Sequence, residues 1–599
     1  MGPRRRGRGR HRAGRRRRGA TPVGGVPPVS ATGAVGATTV AALSADTEAV
    51  LPATPLVGSG VVTGRDASAA MGRAVGGSAA IVAAATLCSK LLGFLRDTVL
   101  ADRFGADYRT DAYFIASQLP LILFAAVGVA IQMVFIPLFS SLLARQEAEA
   151  AERFAANVNG AVTVVVAVLV VLLEVLAGPL VTPFMHPGPP AERLAEYRLA
   201  VHIMRIMAPL IMFYAWSGVA GGVLNSRGVF GPNAAMGIPQ NLTIIAAIFL
   251  GSARGARNMI VVGWGSLVGT LTTFLVQLPA LLYIRFPFRW RFDWKDPMLQ
   301  RMGLLVVPVV LTSLAQQSGI IVDRLLASHL STASQLTDLT YASRVQALAY
   351  TVLGMSLATV LYPSLSAADG LGDTGRFRRV LTRGLGLINF VTVPVMVGLF
   401  LLRRQVVLVV LQHGRFTAAD AHATTIALLY FTLGTLSFAW QDYFNRAFFA
   451  THDTRTPMYG GFIAVSVNIA MDFLLVRPLA QGGLALGTAL GWSAAAAFLT
   501  IRLRGRFGLL GGRRLAWNGL RMLVAAVVAF VPAWLAFGTI WGVVGHASLG
   551  AAFTLLVVAG GAALLYGGLC WLLRVPELAA AGDMMRGMLR RGRPAAPNP

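Results

Sequence analysis

The sequence predicts an all-α polytopic membrane protein of about fourteen transmembrane helices, arranged as two six-helix lobes plus two C-terminal helices. Three observations predict it. The 599 residues are 55% hydrophobic and 13% charged, with a mean hydropathy of +0.65, too apolar for a soluble chain of this length. Apolar runs long enough to cross a bilayer are centred near residues 90, 125, 168, 211, 243, 271, 315, 352, 395, 433, 465, 492, 527 and 561. Lys and Arg concentrate in alternate connections, as cytoplasmic loops require.

Taken in order, residues 1–76 form an Arg-rich cytoplasmic tail predicted to be disordered. Residues 1–75 hold twelve Arg against three acids, and a Gly/Pro/Ala/Thr/Val-rich stretch of no steady period follows the basic start. It lacks the compact apolar region and cleavage site of a signal peptide. Beside a membrane domain, such a tail suits anionic lipid headgroups and orientation rather than nucleic acid. Spans one to six make an N-terminal lobe, 77–284. Residues 285–302 make a cytoplasmic linker whose Arg285, Arg289, Arg291, Lys295 and Arg301 alternate with aromatic residues, a headgroup-level pattern. Spans seven to twelve make the C-terminal lobe, 303–503; two extra helices, 504–575, and a cytoplasmic tail, 576–599, follow.

The basic connections 285–302, 367–383 and 502–515 fall on one side with both termini, the C-terminal tail adding Arg586, Arg590, Arg591 and Arg593. Loops 329–337 and 541–549, on the other side, contain no Lys or Arg. Arg254 and Arg257 are exceptions, in a loop assigned outside, and the inside loop LARQEAEAAER is not net basic.

Two sets of polar residues interrupt the spans. Lys90, Arg96 and Asp97 sit in an otherwise apolar first span, and charges at bilayer depth cost several kcal/mol unless they face a polar cavity or a partner. Arg344 in span eight adds a cation from the other lobe. An anionic group crossing a low-dielectric bundle needs such cations, and the planar fork of Arg donates two hydrogen bonds at once. The alternative is that Arg96 and Asp97 snorkel at a helix end while Arg344 pairs with a local acid such as Asp338. Asp111, opening span two, is either an acceptor at a helix N-terminus or a partner for the span-one cations.

The second set is anionic: Asp323 in span seven, Asn468 and Asp472 in span eleven, and Thr488 in span twelve. Asn468 and Asp472 are four apart and share a helix face. These hard oxygens suit a small cation, or the acids carry protons; alternatively Asp323 pairs with Arg324 and Asp472 with Arg477. Glu174, Arg205, Gln316, Gln317, Asp442 and Arg446 either line the cavity or form interhelical pairs that hold the bundle together, and the second reading is preferred. Cys88 and Cys570 lie in apolar runs, the histidines have no metal spacing, and no catalytic triad, zinc motif or P-loop is visible, so neither an enzyme nor an ATP-driven pump is supported.

SKLLGFLRD at 89–97, TDAYFIA at 110–116, IPLFS at 136–140, LNSRGVFGPN at 224–233, QQSGIIVDRLLASHL at 316–330, the YASRVQALAY stretch from 341 and FNRAFFATHDTRTP at 444–457 resemble, in order, segments of the MurJ (MviN) lipid II flippases. The resemblance covers about residues 77–573. It implies the fold of the multidrug/oligosaccharidyl-lipid/polysaccharide exporters and a transporter, with no enzymatic cofactor, in the bacterial plasma membrane. The implied activity is flipping of undecaprenyl-diphosphate-linked peptidoglycan precursor from the inner to the outer leaflet by alternating access. By position, Arg96 and Arg344 match the family's essential arginines, and Lys90 stands where many members have Arg. The family also implies a sodium site at Asp323, Asn468, Asp472 and Thr488 with the backbone carbonyl of Leu484.

One departure stands out: in LPLILFAA, Phe124 occupies a place where many members carry a basic residue. It makes a flippase for another polyprenyl-linked glycan the nearest alternative. An alternative of a different class is a membrane scaffold that recruits cell-wall synthesis proteins through the basic tail.

Overall fold

Apolar chain in a bilayer must satisfy its own backbone N–H and C=O groups, and the described residues accordingly form helices with no strand among them. The computed structural model describes residues 64–185, 189–255, 257–330, 334–351, 356–509, 511–544 and 549–582. The predicted tail up to residue 63 and the C-terminal Arg586, Arg590, Arg591 and Arg593 lie outside the described residues. Eleven of the described helices are long and apolar enough to cross a membrane. Of the other three predicted centres, those near 90 and 125 fall on a helix carrying Lys90, Arg96 and Asp97 and on a helix that runs into a π turn, while the one near 352 lies outside the described residues.

Helix α1 (Gly64–Phe104) begins before the predicted boundary at 77, so residues 64–76, placed in the disordered tail, are helical; Ala67, Ala69, Ala70, Met71 and Ala74 are the helix formers among them. It ends at Gly105, whose φ of +73° permits the N–H to reach Ala101 O at 2.8 Å. A Cβ at Gly105 would also stand 2.6 Å from Arg415 O of the other lobe. Helix α2 (Tyr108–Ala130) is capped by Asp107, which accepts from Arg109 N at 2.9 Å. Residues Ile131–Phe135 form a π turn before α3 (Ile136–Ala144), where Pro137 has no N–H to continue the ladder.

The first lobe continues with α4 (Ala148–Val181), α5 (Pro190–Met207), α6 (Leu210–Ser226), α7 (Gly231–Ala235), α8 (Gly237–Gly251), α9 (Met259–Leu275) and α10 (Leu278–Tyr283). The second comprises α11 (Pro297–Ser328), α12 (Gln335–Tyr350), α13 (Ser356–Gly370), α14 (Thr374–Val410), α15 (Ala418–Ala450), α16 (Arg455–Leu479) and α17 (Gln481–Phe507). Helices α18 (Gly512–Val544) and α19 (Leu549–Leu572) pack on α14 through Met522, Phe530 and Tyr566. The segment between the lobes is pinned to α4: Arg291 N donates to Ala156 O at 3.0 Å, and Asn157 holds Asp296, the cap of α11. Phe286 is buried there, whereas Trp290, Phe292 and Trp294 are exposed, as aromatic anchors at a headgroup level would be.

The distribution of core residues positions the site. One apolar cluster joins both lobes at the end carrying the carboxyl end of α1, combining Phe104, Tyr113 and Ile203 with Tyr341, Val345 and Phe416. Toward the other end each lobe has its own core, around Phe135, Phe139 and Phe154 in the first and Phe377, Tyr443 and Phe444 in the second. At the joined end, Arg415 N donates to Asp102 O at 2.9 Å. Arg257, an exception to the charge alternation, has a fixed counter-ion there: it pairs with Asp107 at 2.8 Å.

Candidate translocation site

Between the lobes lies a cavity of about 570 Å³, and Lys90, Arg96, Asp97 and Arg344 all line it. Lys90 is exposed on α1. Arg96 donates Nε and NH2 to Asp97 Oδ1 at 3.0 and 2.7 Å, and NH1 to Asn241 Oδ1 of α8 at 3.2 Å. Asn241 is fixed in turn by donating to Ser89 O and Gly237 O. The second oxygen of Asp97 lies 3.7 Å from Arg344 Nε across the cavity. The Asp97 side chain is 8% exposed and that of Arg344 49%, so the acid is buried in the wall while the arginine of the second lobe is half open to solvent. Arg344 therefore pairs with Asp97 rather than with Asp338, which accepts instead from Thr424 and Ser334.

Asp111 does not join this group, which corrects the reading of it as a partner for the span-one cations. Its own helix is already capped by Asp107. Asp111 accepts from Ser334 N at 3.1 Å and Thr337 N at 3.0 Å, and also from the Thr337 hydroxyl. It caps α12 of the opposite lobe, a contact between residues more than two hundred positions apart that spacing does not reveal.

Phe124 faces the cavity and stacks on Tyr214, ring centroids 4.0 Å apart and planes 18° from parallel. The place of the missing cation is thus a flat aromatic wall. Tyr113, bonded to Ser266 at 2.9 Å, and Gln240, bonded to Tyr214, complete a polar rim that sequence reasoning missed. Its members come from four helices and share no sequence pattern.

The anionic set assembles where α11, α16 and α17 meet. Asn468 Nδ2 donates to Asp323 Oδ1 at 3.2 Å and to Asp472 Oδ2 at 3.0 Å, and Thr488 Oγ1 lies 3.5 Å from Asp323 Oδ2. Thr488 also donates to Leu484 O at 3.1 Å. Asp472 is fully buried, its Oδ1 has no hydrogen-bond partner among the described residues, and a Cβ at Gly487 would run into that oxygen. An orphaned buried carboxylate oxygen beside further hard oxygens fits a small hard cation or a proton. Among the described residues no three or more His, Cys, Asp and Glu side chains cluster as a metal site. Neither alternative pairing is formed: Arg324 turns to Thr340 and Leu336 O, and Asp472 is bonded to Asn468 rather than Arg477.

Four of the remaining candidates, Arg205, Gln316, Asp442 and Arg446, make contacts within the helical bundle. Arg205 donates to the backbone of Glu174, and Asp442 pairs with Arg446 one turn away at 3.2 Å while accepting from Tyr350 at 2.9 Å. Gln316 packs against Gly461.

A family profile described as Lipid II flippase MurJ matches residues 100–551. The chain belongs to this family. A probable lipid II flippase of Vibrio cholerae is 27% identical over 463 residues, covering 75% of this chain and 87% of its own length. One of Rhizobium tropici is 29% identical over 455 residues, covering 75% and 84%. Among solved structures, a lipid II flippase MurJ in an inward closed conformation superposes with a TM-score of 0.68 at 22% identity, over 82% of this chain and 98% of that one. An inward-facing MATE transporter gives 0.61 at 13% identity, over 70% and 95%, a likeness of fold alone. Family membership makes the chain a transporter and a multi-pass protein of the cell membrane, and it does not favour the scaffold or the other-glycan alternative.

Proposed function

We propose that the chain translocates lipid II from the inner to the outer leaflet by alternating access, with Arg96 and Arg344 taking the diphosphate and Lys90 assisting at the cavity mouth. One observation carries this: Asp97 bridges an arginine from each lobe in the wall of a cavity between them. A diphosphate supplies more negative charge than one carboxylate and accepts bidentate donation, so its arrival competes Arg344 away from Asp97. Asp97 keeps Arg96 oriented, and Arg344 closes on the ligand from the second lobe. The aromatic wall of Phe124 and Tyr214 offers stacking and apolar contact to the headgroup, a neutral surface where relatives place charge.

The basic connections support cytoplasmic termini, which puts the joined end of the lobes outside and the separated cores inside. The cavity then opens toward the cytoplasm, the leaflet where the substrate is loaded. The lipid tail stays in the bilayer, in a groove made by α18 and α19. Asp323, Asn468, Asp472, Thr488 and the Leu484 carbonyl would hold a sodium ion or a proton, which would supply the charge movement that couples transport to a gradient. The residues themselves keep two carboxylates close through Asn468, and the unpaired Asp472 Oδ1 is the atom left to take a cation or a proton.

The test is rescue. The full chain, with Arg96→Ala and Arg344→Ala versions, is expressed in bacteria depleted of their own lipid II flippase. Growth and outer-leaflet lipid II restored by the wild type and not by equally abundant variants are the expected result. A well-folded wild type that fails, while it moves another polyprenyl-linked glycan in vesicles, overturns the choice of substrate.

A further inference from the structure

A second cavity, of about 530 Å³, lies apart from the translocation site, where the amino-terminal turns of α14 and α18 meet the helical turn that starts at Pro576. Arg378, Arg379 and Arg383 of α14 and Arg514 of α18 line it, with Leu509 and Leu515 as an apolar edge. Four guanidinium groups around one hollow repel one another unless an anion answers them. Two acids answer them only in part: Glu577 is the single carboxylate lining the hollow, against four arginines, and Asp373 stands outside the lining. Glu577 accepts from Asn518 Nδ2 at 3.0 and 3.3 Å and rests on Gly386, where a Cβ would stand 2.8 Å from its Oε1. Asp373 caps α14 through Arg376 N and reaches Arg379 only at 3.9 Å, across solvent. Among the described residues, Arg378, Arg383 and Arg514 have no carboxylate within ion-pair distance.

We propose that this pocket is a phosphate-binding site separate from the translocation cavity, taking either the phosphodiester of an anionic phospholipid or a soluble phosphate. Guanidinium forks match phosphate oxygens, and basic pockets among membrane helices hold anionic headgroups. Beyond the pocket, α18 presents exposed Trp517, Leu520 and Val524, an apolar track along which an acyl chain can lie. Because α14 belongs to the second lobe and α18 is an added helix, an anion held by arginines from both ties the two together.

The experiment uses the full chain in neutral detergent. Native mass spectrometry measures binding of phosphatidylglycerol and of phosphatidylcholine with the same acyl chains, with and without millimolar inorganic phosphate; a thermal shift with inorganic phosphate alone is the parallel arm. Arg383→Gln with Arg514→Gln is the pocket variant, and Arg502→Gln with Arg504→Gln, outside the pocket, is the control. If the pocket variant does not fold, Arg378→Gln with Arg379→Gln, both exposed, replaces it. The expected result is phosphatidylglycerol bound in preference to phosphatidylcholine, weakened roughly tenfold or more in the pocket variant and unchanged in the control. Retention against inorganic phosphate assigns the site to lipid; stabilisation by inorganic phosphate alone, lost in the variant, assigns it to the soluble ion. Equal binding of both probes by wild type and pocket variant overturns the proposal.

Discussion

Asp97 is the hinge of charge between the lobes: one oxygen lies 2.7 Å from Arg96 on its own helix and the other 3.7 Å from Arg344 on α12. A pair at about 4 Å with an effective dielectric of about 20 is worth roughly 4 kcal/mol before desolvation. Exposure of Arg344 reduces that toward the surface-pair range of about 0–1 kcal/mol. The contact is thus strong enough to set direction and weak enough to be replaced.

Arg344→Ala therefore separates transport from stability. Asp97 keeps Arg96 in this variant, so the melting temperature in detergent stays close to wild type while lipid II flipping in proteoliposomes is lost. Arg96→Ala costs both, because a mostly buried Asp97 loses its bidentate partner, a change worth several kcal/mol at such sites. Arg344→Lys retains charge without the fork and recovers only part of the activity. Equal destabilisation by the two Ala variants would sink this division of roles.

Asp111→Ala is expected to loosen the joined end of the lobes. The acid satisfies Ser334 and Thr337 at the start of α12, and losing an N-terminal acceptor costs about 0.5–2 kcal/mol. Asp111→Asn keeps one acceptor oxygen and costs less. The check is a pair of measurements: the melting temperature, and thiol labelling of a Cys placed at Ser334, which rises in the Ala variant. Unchanged labelling would mean that this cap does not hold the lobes together.

The spans were legible because hydropathy is a local property that survives whatever the tertiary arrangement. The cationic and anionic residues were legible for a related reason: a charge in an apolar run is conspicuous by itself. Asn241 was not, since an amide in α8 gains meaning only when α1 packs beside it and Arg96 reaches it at 3.2 Å. Gly487 was hidden likewise, its lack of a side chain mattering only because Asp472 of the neighbouring helix fills the space. Of the two roles open for Asp111, acceptor at a helix N-terminus is the one formed, but the helix belongs to the opposite lobe, which spacing along the chain does not indicate.

A pH dependence follows from Asp453, in the turn before α16. Burial raises its carboxyl, but hydrogen bonds from the Thr456 N–H and hydroxyl and from Arg455 N, with Arg506 nearby, outweigh it and hold the group below the ordinary carboxylate range. A group with a depressed folded-state value contributes stability above the unfolded value, about 3.9 for Asp, and loses it as pH falls through the folded value. The difference in melting temperature between wild type and Asp453→Ala is therefore constant above about pH 5 and shrinks below about pH 4. A difference that grows in acid would contradict the assignment.

The anionic cluster gives the most discriminating prediction. If Asp472 Oδ1 takes a sodium ion, adding sodium chloride in place of choline chloride raises the melting temperature in a saturable way, since a ligand that binds only the folded state stabilises by RT ln(1 + [L]/Kd). Asp472→Asn removes that response, because the amide brings a donor and no charge to the orphaned position. Gly487→Ala removes it as well while leaving every ligand in the sequence, because its Cβ must displace the Asp472 carboxylate. Thr488→Ala weakens the response by deleting one oxygen. Should sodium leave the wild type unmoved while flipping still follows a pH gradient and fails in Asp472→Asn, the same two carboxylates carry a proton instead. Sodium stabilisation of equal size in wild type and Asp472→Asn would place the coupling ion elsewhere in the molecule.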